Sequence, residues 1–392
     1  MFKIQTLNKI SPKGLELLPR DCYEVASEML NPDAYLVRSA DMLTMEFAVS
    51  VKAIARAGAG VNNIPIDRCT QKGIVVFNTP GANANGVKEL VVLGMLLASR
   101  NILPAIAWLQ GLIGKGDEVP KLVEKGKSQF AGHELSGKKL GVIGLGSIGV
   151  MVANAAVHLG MDVSGYDPYI SVEAAWGLSH NVKRAISLDS LIAGSDYVTI
   201  HVPYSDKTKG MINRDKLVLM KKGAILINLA RGGLVNNADL KEAIAGGNLA
   251  AYVTDFPDED LLKTPKVIAF PHLGASTEEA EDNCAVMAVS QLRHFLELGN
   301  IKNSVNFPDC EMGPIAAGQT RILVANRNVP NMVGQVTSIL AAKKINIADM
   351  LNKHRGDVAY NIIDVDGEVG EEEKAALAKI EGVIMTRVIA AE

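Results

Sequence analysis

Short apolar, β-branched runs alternate with longer segments of helical periodicity through most of the chain. Strands are predicted first at Phe2–Leu7, Ala34–Val37 and Ile74–Asn78, and then in a stronger series at Lys139–Ile143, Asp162–Tyr166, Tyr197–His201, Ala224–Asn228, Ala251–Thr254 and Lys266–Phe270. Segments such as Ser147–Leu159 and Asn237–Ala245 have the length and periodicity of the intervening helices. Because strands that alternate with helices form parallel sheets, the pattern predicts two doubly wound α/β lobes.

A different pattern follows Val305–Gly318, a segment with two prolines and two glycines that we interpret as a linker. The order there is strand, helix, strand, strand, helix, strand. The strands are predicted near Arg321–Ala325, Ile347–His354, Val358–Val365 and Val383–Val388, and the helices near Met332–Lys343 and Glu371–Ile380. Such a βαββαβ order predicts a small ferredoxin-like sheet with helices on one face.

Two features predict how the domains divide the chain. Pro104 interrupts a helical apolar stretch, which indicates a hinge near Asn101–Ala105. The helical pattern of Thr277–Leu298 indicates a helix that returns to the first lobe. We therefore expect a first lobe at 1–98 and 289–310, a second lobe at 99–288 and a C-terminal domain at 319–392.

Composition narrows the class of protein. With 48% hydrophobic and 21% charged residues and a net charge of −3, the chain has the character of a globular protein without a nucleic-acid or anionic-membrane partner. Its four cysteines form no CxxC or His/Cys cluster, so we expect no metal site and a reducing compartment. The N-terminal residues lack the apolar run of a signal peptide, and the apolar stretch Leu90–Ala98 is too short to span a bilayer. A cytoplasmic location is expected.

A glycine-rich turn is the sharpest candidate site. Gly144, Gly146 and Gly149 follow the predicted strand KKLGVI and open a helix, with Ser147 and Ile148 between them. In such a turn the first glycine permits the bend, the second lets the backbone approach a pyrophosphate, and the third lets helix and strand pack closely. A structural βα turn could have the same glycines, but the flanking strand and helix favour a dinucleotide site.

Asp167 ends the next predicted strand, VSGYD. A carboxylate at that position can accept hydrogen bonds from a ribose 2′-OH and repels a 2′-phosphate. Pro168 and Tyr169 follow it, and no adjacent arginine is present. The cofactor is therefore predicted to be NAD and not NADP.

Oxidation of an alcohol by hydride transfer needs a base and, for an anionic substrate, a cation. Among seven histidines, His272 lies just past a predicted buried strand, where α/β sheets place their ligands. Arg231 and Glu259 follow the two preceding strands. Each has an ordinary alternative: a structural histidine, a surface ion pair for the arginine, and a solvated acidic loop for the glutamate, which has three aspartates as neighbours.

The motifs GLGSIG, HVPYSDKTKGMIN, NLARGGLVN, FPDE and PHLGAST occur in this order, and the resemblance that they carry covers roughly the first 310 residues. Together they resemble the D-isomer-specific 2-hydroxy acid dehydrogenases, whose lobes are Rossmann-like. The resemblance implies that Arg231 binds and polarises the substrate, that Glu259 supports the histidine and that His272 is the acid/base. It also implies further cofactor contacts within these motifs at Pro203, Ala230 and Gly274.

One position departs from the family. Its usual Asp-Val-Phe, with the aspartate near the nicotinamide carboxamide, is replaced here by Thr254-Asp255-Phe256. Either Thr254 takes that place or Asp255 reaches in from the neighbouring position, and the sequence leaves the two alternatives open.

The first lobe carries candidate substrate residues. Its VRS and GAGV segments resemble turns that bind the substrate carboxylate, and in phosphoglycerate-oxidising members basic residues lie near the substrate phosphate. The residues so implied are Arg38, Ser39, Ala59, Gly60, Val61 and Lys127, with Lys125 as the alternative lysine. A solvated helix end is the ordinary alternative for either lysine. The substrate implied is 3-phosphoglycerate, an intermediate on the route to serine.

The C-terminal segment resembles an ACT domain, an amino-acid-binding regulatory fold. Asn328 and Asn346 match positions that bind serine in serine-regulated members, so a serine effector is implied. Asn326 and Asn331 depart from the histidine and glycine that are common at their positions. The resemblance also implies a homodimer or homotetramer, because ACT domains and nucleotide-binding lobes pair across subunits.

Three other functions remain open at this point. A glyoxylate or hydroxypyruvate reductase would have the same catalytic residues and would not need the phosphate-binding cations. An NAD-sensing scaffold resembling transcriptional corepressors would have peptide-binding surfaces, which nothing in the sequence indicates. An amino-acid sensor with a degenerate catalytic half would not need Arg231, Glu259 and His272.

Overall fold

A computed structural model describes residues 1–391 and divides the chain into two compact units. One unit comprises Met1–Asn83 together with the described residues from Glu281 onward, and the other comprises Ala84–Ala280. The sequence boundaries predicted at 98/99 and 288/289 therefore differ from those of the structure, which lie at 83/84 and 280/281.

The N-terminal part of the first unit is a five-stranded parallel sheet. Its strands are β1 (Phe2–Thr6), β2 (Tyr23–Ala26), β3 (Ala34–Val37), β4 (Ala53–Arg56) and β5 (Val75–Phe77), in the order β2-β1-β3-β4-β5. Two short helices, α1 (Pro12–Leu15) and α2 (Ile66–Gln71), connect them. Strand β3 in the interior of the sheet and strand β5 at its edge are both buried throughout, as expected for strands that are covered on both faces.

The second unit is a seven-stranded parallel sheet surrounded by helices. Its strands are β6 (Lys139–Ile143), β7 (Asp162–Tyr166), β8 (Lys183–Arg184), β9 (Tyr197–Ile200), β10 (Ala224–Asn228), β11 (Leu249–Thr254) and β12 (Val267–Ala269). Their order is β12-β11-β10-β9-β6-β7-β8, so the winding reverses between β6 and β9. In doubly wound sheets the carboxyl ends of the strands at this reversal form the ligand crevice. The Rossmann-like prediction is confirmed.

Nine α-helices are described in this unit. They are α3 (Ala84–Arg100), α4 (Ile102–Gln110), α5 (Val119–Gly126), α6 (Ser147–His158), α7 (Val172–Gly177), α8 (Leu188–Gly194), α9 (Arg214–Leu219), α10 (Asn237–Ala245) and α11 (Glu259–Lys263). Helix α3 belongs here because Val87, Val91 and Met95 pack into the same core as β6. The sequence predicted a hinge between the two lobes near Asn101–Ala105. In the structure Asn101 separates α3 from α4 in a left-handed conformation with φ of 50°, and both helices lie in the second unit.

Helix α12 (Glu278–Leu298) leads into the C-terminal antiparallel sheet of the first unit. The strands there are β13 (Gln319–Arg327), β14 (Ile347–Arg355), β15 (Val358–Asp366) and β16 (Val383–Ala390), in the order β14-β15-β13-β16, with helices α13 (Met332–Ala342) and α14 (Glu371–Ala378). This is the predicted βαββαβ order. Ile322 and Val324 face a core that includes α13, whereas Leu323 and Ala325 join the core of the N-terminal sheet and α12.

Among the described residues no single helix combines the length and apolarity needed to cross a membrane. Helices α3 and α4, which meet at an angle of 67°, pass that test of length and composition only when they are taken together.

Candidate active site

The glycine turn between β6 and α6 has the geometry of a pyrophosphate site. Gly144 has φ of 88°, and a Cβ at Gly149 would lie 1.9 Å from the carbonyl oxygen of Gly144. A Cβ at Gly146 would meet no atom within 4 Å, so this side of the turn is open. Only glycine fits at 144 and 149, and Gly146 leaves room for a ligand beside the amino end of α6.

Asp167 holds the same turn from the end of β7. Its Oδ2 accepts a hydrogen bond from the backbone N–H of Leu145 at 2.8 Å, and its Oδ1 accepts one from Tyr169 at 2.8 Å. Each carboxylate oxygen has a further lone pair, so these bonds leave acceptors for a ribose hydroxyl. The predicted cofactor residues Gly144, Gly146, Ser147, Gly149 and Asp167 therefore lie together.

His201 borders this turn and was not singled out by the sequence. A Cβ at Gly144 would lie 2.6 Å from the His201 carbonyl oxygen. Burial lowers the pKa of the imidazole to about 3, and within residues 1–391 its Nδ1 atom has no hydrogen-bond partner. The ring is therefore neutral at physiological pH. Its signals in the sequence are its position one residue past β9 and its place at the start of the motif that contains Pro203.

The three predicted catalytic residues follow three neighbouring strands. Strands β10, β11 and β12 are adjacent, and their ends are in register through Asn228, Thr254 and Ala269. Arg231, Glu259 and His272 come three, five and three residues after these positions, on the same edge of the sheet. The carboxyl ends of adjacent parallel strands lie side by side, so all three residues are placed at the carboxyl edge of the sheet.

The turn that carries Arg231 is fixed by an amide side chain. The Asn228 Nδ2 donates to the Arg231 carbonyl oxygen at 3.0 Å, and its Oδ1 accepts from the N–H of Ala230 at 3.2 Å. The guanidinium itself is exposed, with Nη1 donating to the Ala230 carbonyl oxygen at 2.7 Å. Its remaining donors can therefore bind an anion.

His272 has φ of 43°, and its ring lies against Phe256 with a centroid distance of 4.6 Å. No hydrogen bond between His272 and Glu259 occurs in the described part of the chain. Glu259 is exposed and accepts from the Lys263 ammonium at 2.5 Å, one turn along α11. A surface ion pair of this kind contributes only about 0–1 kcal/mol, so this contact holds Glu259 weakly.

Asp255 is a buried carboxylate that interacts electrostatically with both His272 and Arg231. It is 3% exposed, and its Oδ1 has no hydrogen-bond partner among residues 1–391. Burial raises its pKa, and the positive charges of His272 and Arg231 partly oppose that rise. Its Oδ2 lies 3.7 Å from the position that a Cβ on Gly274 would take. Thr254, by contrast, uses its Oγ1 to accept from the Phe256 N–H.

Lys127 lies apart from these residues. Its ammonium donates to Glu124 at 2.5 Å, and both side chains are exposed. In the part of the chain that the structure describes, no hydrogen bond or ion pair links Lys127 or Lys125 to the glycine turn or to Arg231. This is the arrangement of the solvated helix end that was the alternative for these lysines.

The candidate substrate residues of the first unit follow the neighbouring strands β3 and β4. The backbone N–H groups of Arg38, Ser39 and Ala40 all donate to the Asn8 Oδ1, at 2.9 to 3.0 Å. The Arg38 guanidinium pairs with Glu281 at 2.7 Å. After β4, the carbonyl oxygen of Ala59 accepts from Asn78 at 2.6 Å, which fixes the turn that contains Gly60 and Val61.

The two candidate effector residues do not converge within one chain. The Asn328 Nδ2 donates to the Gly356 carbonyl oxygen, beside the β14–β15 hairpin. The Asn346 Nδ2 donates to Asp366, at the far end of β15. At about 3.3 Å per residue the two positions are roughly 30 Å apart along the strand.

Comparison with known proteins agrees with this geometry. Residues 93–274 match the profile described as D-isomer specific 2-hydroxyacid dehydrogenase, NAD binding domain. The D-3-phosphoglycerate dehydrogenase of Methanocaldococcus jannaschii is 35% identical over 351 residues, which cover 87% of this chain and 63% of that protein. The D-3-phosphoglycerate dehydrogenase of Haemophilus influenzae is 33% identical over 367 residues, which cover 90% of this chain and 85% of that protein.

A solved structure with a similar fold is the NAD+-bound 3-phosphoglycerate dehydrogenase of Entamoeba histolytica. It has a TM-score of 0.62 and 27% identity, over 78% of this chain and 98% of that one. Several curated relatives are longer than this chain, which spans 63% of the Methanocaldococcus protein and 54% of its Archaeoglobus fulgidus counterpart.

Proposed function

The chain belongs to the D-isomer specific 2-hydroxyacid dehydrogenases, and from that premise we propose that it oxidises 3-phospho-D-glycerate to 3-phosphohydroxypyruvate with NAD, the first step of serine biosynthesis. The observation that carries the proposal is the convergence of Arg231 and His272 around the end of β11, in the same sheet as the open glycine turn. The substrate is supported by the similarity to D-3-phosphoglycerate dehydrogenases over 90% of the chain.

The residues of the second unit fit NAD. The open side of Gly146 accommodates a pyrophosphate, and Asp167 accepts from a ribose hydroxyl and disfavours a 2′-phosphate. The unpartnered Oδ1 of Asp255 is an acceptor suited to the nicotinamide carboxamide, so of the two alternatives we favour Asp255 over Thr254. When bound, NAD accepts the hydride from the substrate carbon.

The chain itself binds the substrate and moves a proton. Arg231 offers a planar fork that binds a carboxylate through two parallel hydrogen bonds. His272 accepts the proton of the substrate hydroxyl as the carbonyl forms, the general-base role that an imidazole most often takes. Glu259 stabilises the resulting imidazolium once it leaves Lys263. Arg38, Ser39 and Ala59–Val61 are proposed to bind the substrate, with Lys127 the weakest of these assignments.

The proposal is tested by measuring NADH formation from 3-phosphoglycerate, and NADH consumption on glyoxylate and hydroxypyruvate. We expect phosphoglycerate oxidation with NAD to have the highest kcat/KM and NADP to support little activity. Reduction of glyoxylate or hydroxypyruvate without phosphoglycerate oxidation would assign the chain to the alternative reductase. Equal activity with NADP would refute the role of Asp167.

The variant His272→Ala tests the catalytic assignment. Loss of the general base should lower kcat by about 10²–10⁴-fold, whereas the dissociation constant for NAD, measured by fluorescence titration, should change little. Near-normal turnover would show that another group takes the proton. Lys263→Ala is the matched control, because it frees Glu259 and should leave turnover intact or raise it.

We further propose that serine regulates the enzyme through a site formed by two copies of the C-terminal domain. Because Asn328 and Asn346 lie at opposite ends of one domain, a single copy cannot present both to one small ligand. We propose that the chain forms a homodimer or homotetramer, which brings two such domains together, and that it does so in the cytoplasm. Absence of any effect of millimolar serine on activity or on sedimentation would rule the effector out.

A further inference from the structure

A cleft lies within the first unit, between the β14–β15 hairpin and the segment that follows α12. Its volume is about 330 Å³, and its lining residues are Asn303, Ser304, Pro308, Asp309, Lys353, His354 and Arg355. None of these residues belongs to the proposed catalytic or effector sites. One wall comes from the C-terminal sheet and the other from the segment that joins it to the N-terminal sheet.

The charges in the cleft are unbalanced. Lys353, His354 and Arg355 are consecutive basic residues at the end of the edge strand β14, and Asp309 is the one acidic residue that lines the cleft. Side chains alternate along a strand, so Lys353 and Arg355 project on the same side as Leu351, which packs against the core shared with the N-terminal sheet. The Lys353 ammonium and the Arg355 guanidinium therefore lie on the same side of β14.

Both cations have donors to spare. The Arg355 Nη1 donates to the Ser304 carbonyl oxygen at 2.5 Å, and no ion pair to Arg355 is found within residues 1–391. The Lys353 ammonium has neither a hydrogen bond nor an ion pair in the same range. Burial raises the pKa of the Cys310 thiol, next to the wall residue Asp309, to about 12, and the positive charge of Lys353 opposes that rise. The Asp309 Oδ1 is occupied by the N–H of Asn303 at 2.8 Å.

We propose that this cleft binds a small dianion of the phosphate type, held by Lys353 and Arg355. A guanidinium fork and an ammonium on one side of a strand match a doubly charged oxyanion, because charge-assisted hydrogen bonds to such groups are the strong ones. The side chain of Asn303 supplies a further donor. The volume accommodates a phosphate with a small organic group attached, so free phosphate and a phosphate monoester share the chemistry.

A ligand here would be coupled to the N-terminal sheet. The wall residue Ser304 donates its hydroxyl to the Val76 carbonyl oxygen at 3.0 Å, and Asn306 accepts from the Val76 N–H at 2.9 Å, so this segment is tied to β5. Just past β5, Asn78 donates to Ala59. An anion that holds Arg355 against Ser304 therefore tightens a connection that ends at the predicted substrate turn.

The binding test uses the full chain and the His354 ring as a reporter. Its imidazole resonances, assigned with His354→Ala, are followed by NMR during titration with inorganic phosphate and, separately, with glycerol phosphate, both at constant ionic strength maintained with chloride. We expect a saturable shift. The tighter of the two ligands identifies the source as free phosphate or a phosphate monoester.

Charge-removing variants locate the site. The double variant of Lys353→Gln and Arg355→Gln should bind about tenfold or more weakly, whereas Lys379→Gln, which removes an exposed charge from the end of α14, should bind normally. Arg38→Gln should also leave the His354 shift unchanged, which separates this cleft from the proposed substrate site. Lys353→Gln alone guards against misfolding, because no hydrogen bond of Lys353 is lost.

The absence of a saturable shift with millimolar ligand, or an equal shift in the double variant, would overturn the proposal. Neither result depends on dehydrogenase activity, so failure here is distinguishable from failure of the proposed function. Thermal melting gives a second readout, since a ligand that binds only the folded state must raise Tm in the parent chain and less in the double variant.

Discussion

The Asp255 carboxylate is buried at the end of β11, and burial raises its pKa. A carboxyl group whose pKa is higher in the folded than in the unfolded state stabilises the fold while it is protonated. That contribution is complete below the unfolded pKa of about 3.9 and is lost as the pH rises through the folded value. At neutral pH the buried Asp255 carboxyl group therefore lowers the free energy of unfolding relative to its value at acid pH.

The variant Asp255→Asn should accordingly raise Tm at neutral pH, and the gain should shrink as the pH is lowered toward 4. Thermal melts across this range measure the effect. The matched control is Asp260→Asn. The hydrogen bond from Lys241 lowers the pKa of the exposed Asp260, so removal of this carboxylate should lower Tm at neutral pH and not raise it. A gain for Asp255→Asn that grows toward acid pH would contradict this account.

At the residue scale the sequence predicted that Arg231, Glu259 and His272 follow neighbouring strands, because a residue just past a buried parallel strand lies at the carboxyl edge of the sheet. It could not predict which carboxylate approaches His272. The choice between Thr254 and Asp255 depends on where β11 ends, and one residue along a strand exchanges the two faces. The contact between Glu259 and Lys263 depends on side-chain rotamers that no pattern specifies.

The β6–α6 turn offers a test at the scale of one element. Gly146→Ala places a methyl group in open space with ordinary φ of −76°, so Tm should stay within a few degrees while the affinity for NAD falls. Gly149→Ala forces a Cβ to 1.9 Å from the Gly144 oxygen and should destabilise the unit itself. Isothermal titration with NAD, together with melting curves, separates the two. Unchanged NAD affinity in Gly146→Ala would place the pyrophosphate elsewhere.

The buried pair of Arg321 and Asp364 joins β13 to β15 and to the end of α12. Arg321 donates to both Asp364 oxygens at 2.7 Å, and also to the carbonyl oxygens of Leu298 and Gly313. Arg321→Met should cost about 3–5 kcal/mol in the free energy of unfolding, because it leaves a buried carboxylate without its partner. Urea denaturation measures this. A double variant with Asp364→Leu should recover much of the loss, and a loss below 1 kcal/mol for Arg321→Met would contradict the burial argument.

Elements with a clear period were predictable, and short or polar ones were not. Strand β8 has two residues, Lys183 and Arg184, both exposed, so no apolar signal exists there. Strand β4 ends in Arg56 after three buried residues, which is too short a run to identify as a strand. Both are strands because a neighbour supplies their hydrogen bonds, which is information that lies outside the segment.

At the scale of the molecule, the sequence predicted a separate C-terminal domain behind a linker, and the structure shows its expected sheet. One feature of the sequence indicates that this sheet packs against another part of the chain. Residues 322–325 form a continuous apolar run, and all four are buried, which is typical of a strand covered on both faces. The helices α13 and α14 cover only one face, so the other requires a partner, and that partner is the N-terminal sheet with α12.

Hydrogen bonds to carbonyl groups at the end of α12 also connect the C-terminal sheet to the rest of the first unit. Arg387 donates to Phe295 and Leu296, and Tyr360 donates to Gly299 at 2.8 Å. Removal of the chain after Gly318 would take away these side-chain donors and expose the apolar face that Leu323 and Ile362 cover.

We therefore expect a chain that ends at Gly318 to aggregate, or to bind a hydrophobic dye and melt at a lower temperature than the full chain. Size-exclusion chromatography and calorimetry measure the outcome. The second unit is the internal control, because its core lies outside this cluster and its affinity for NAD should survive in any folded fraction. A monodisperse truncated chain with an unchanged Tm would mean that the C-terminal sheet adds nothing to the stability of the N-terminal one. A lower Tm would show that the C-terminal sheet stabilises the core that contains Ala55 and Ala57, next to the proposed substrate turn.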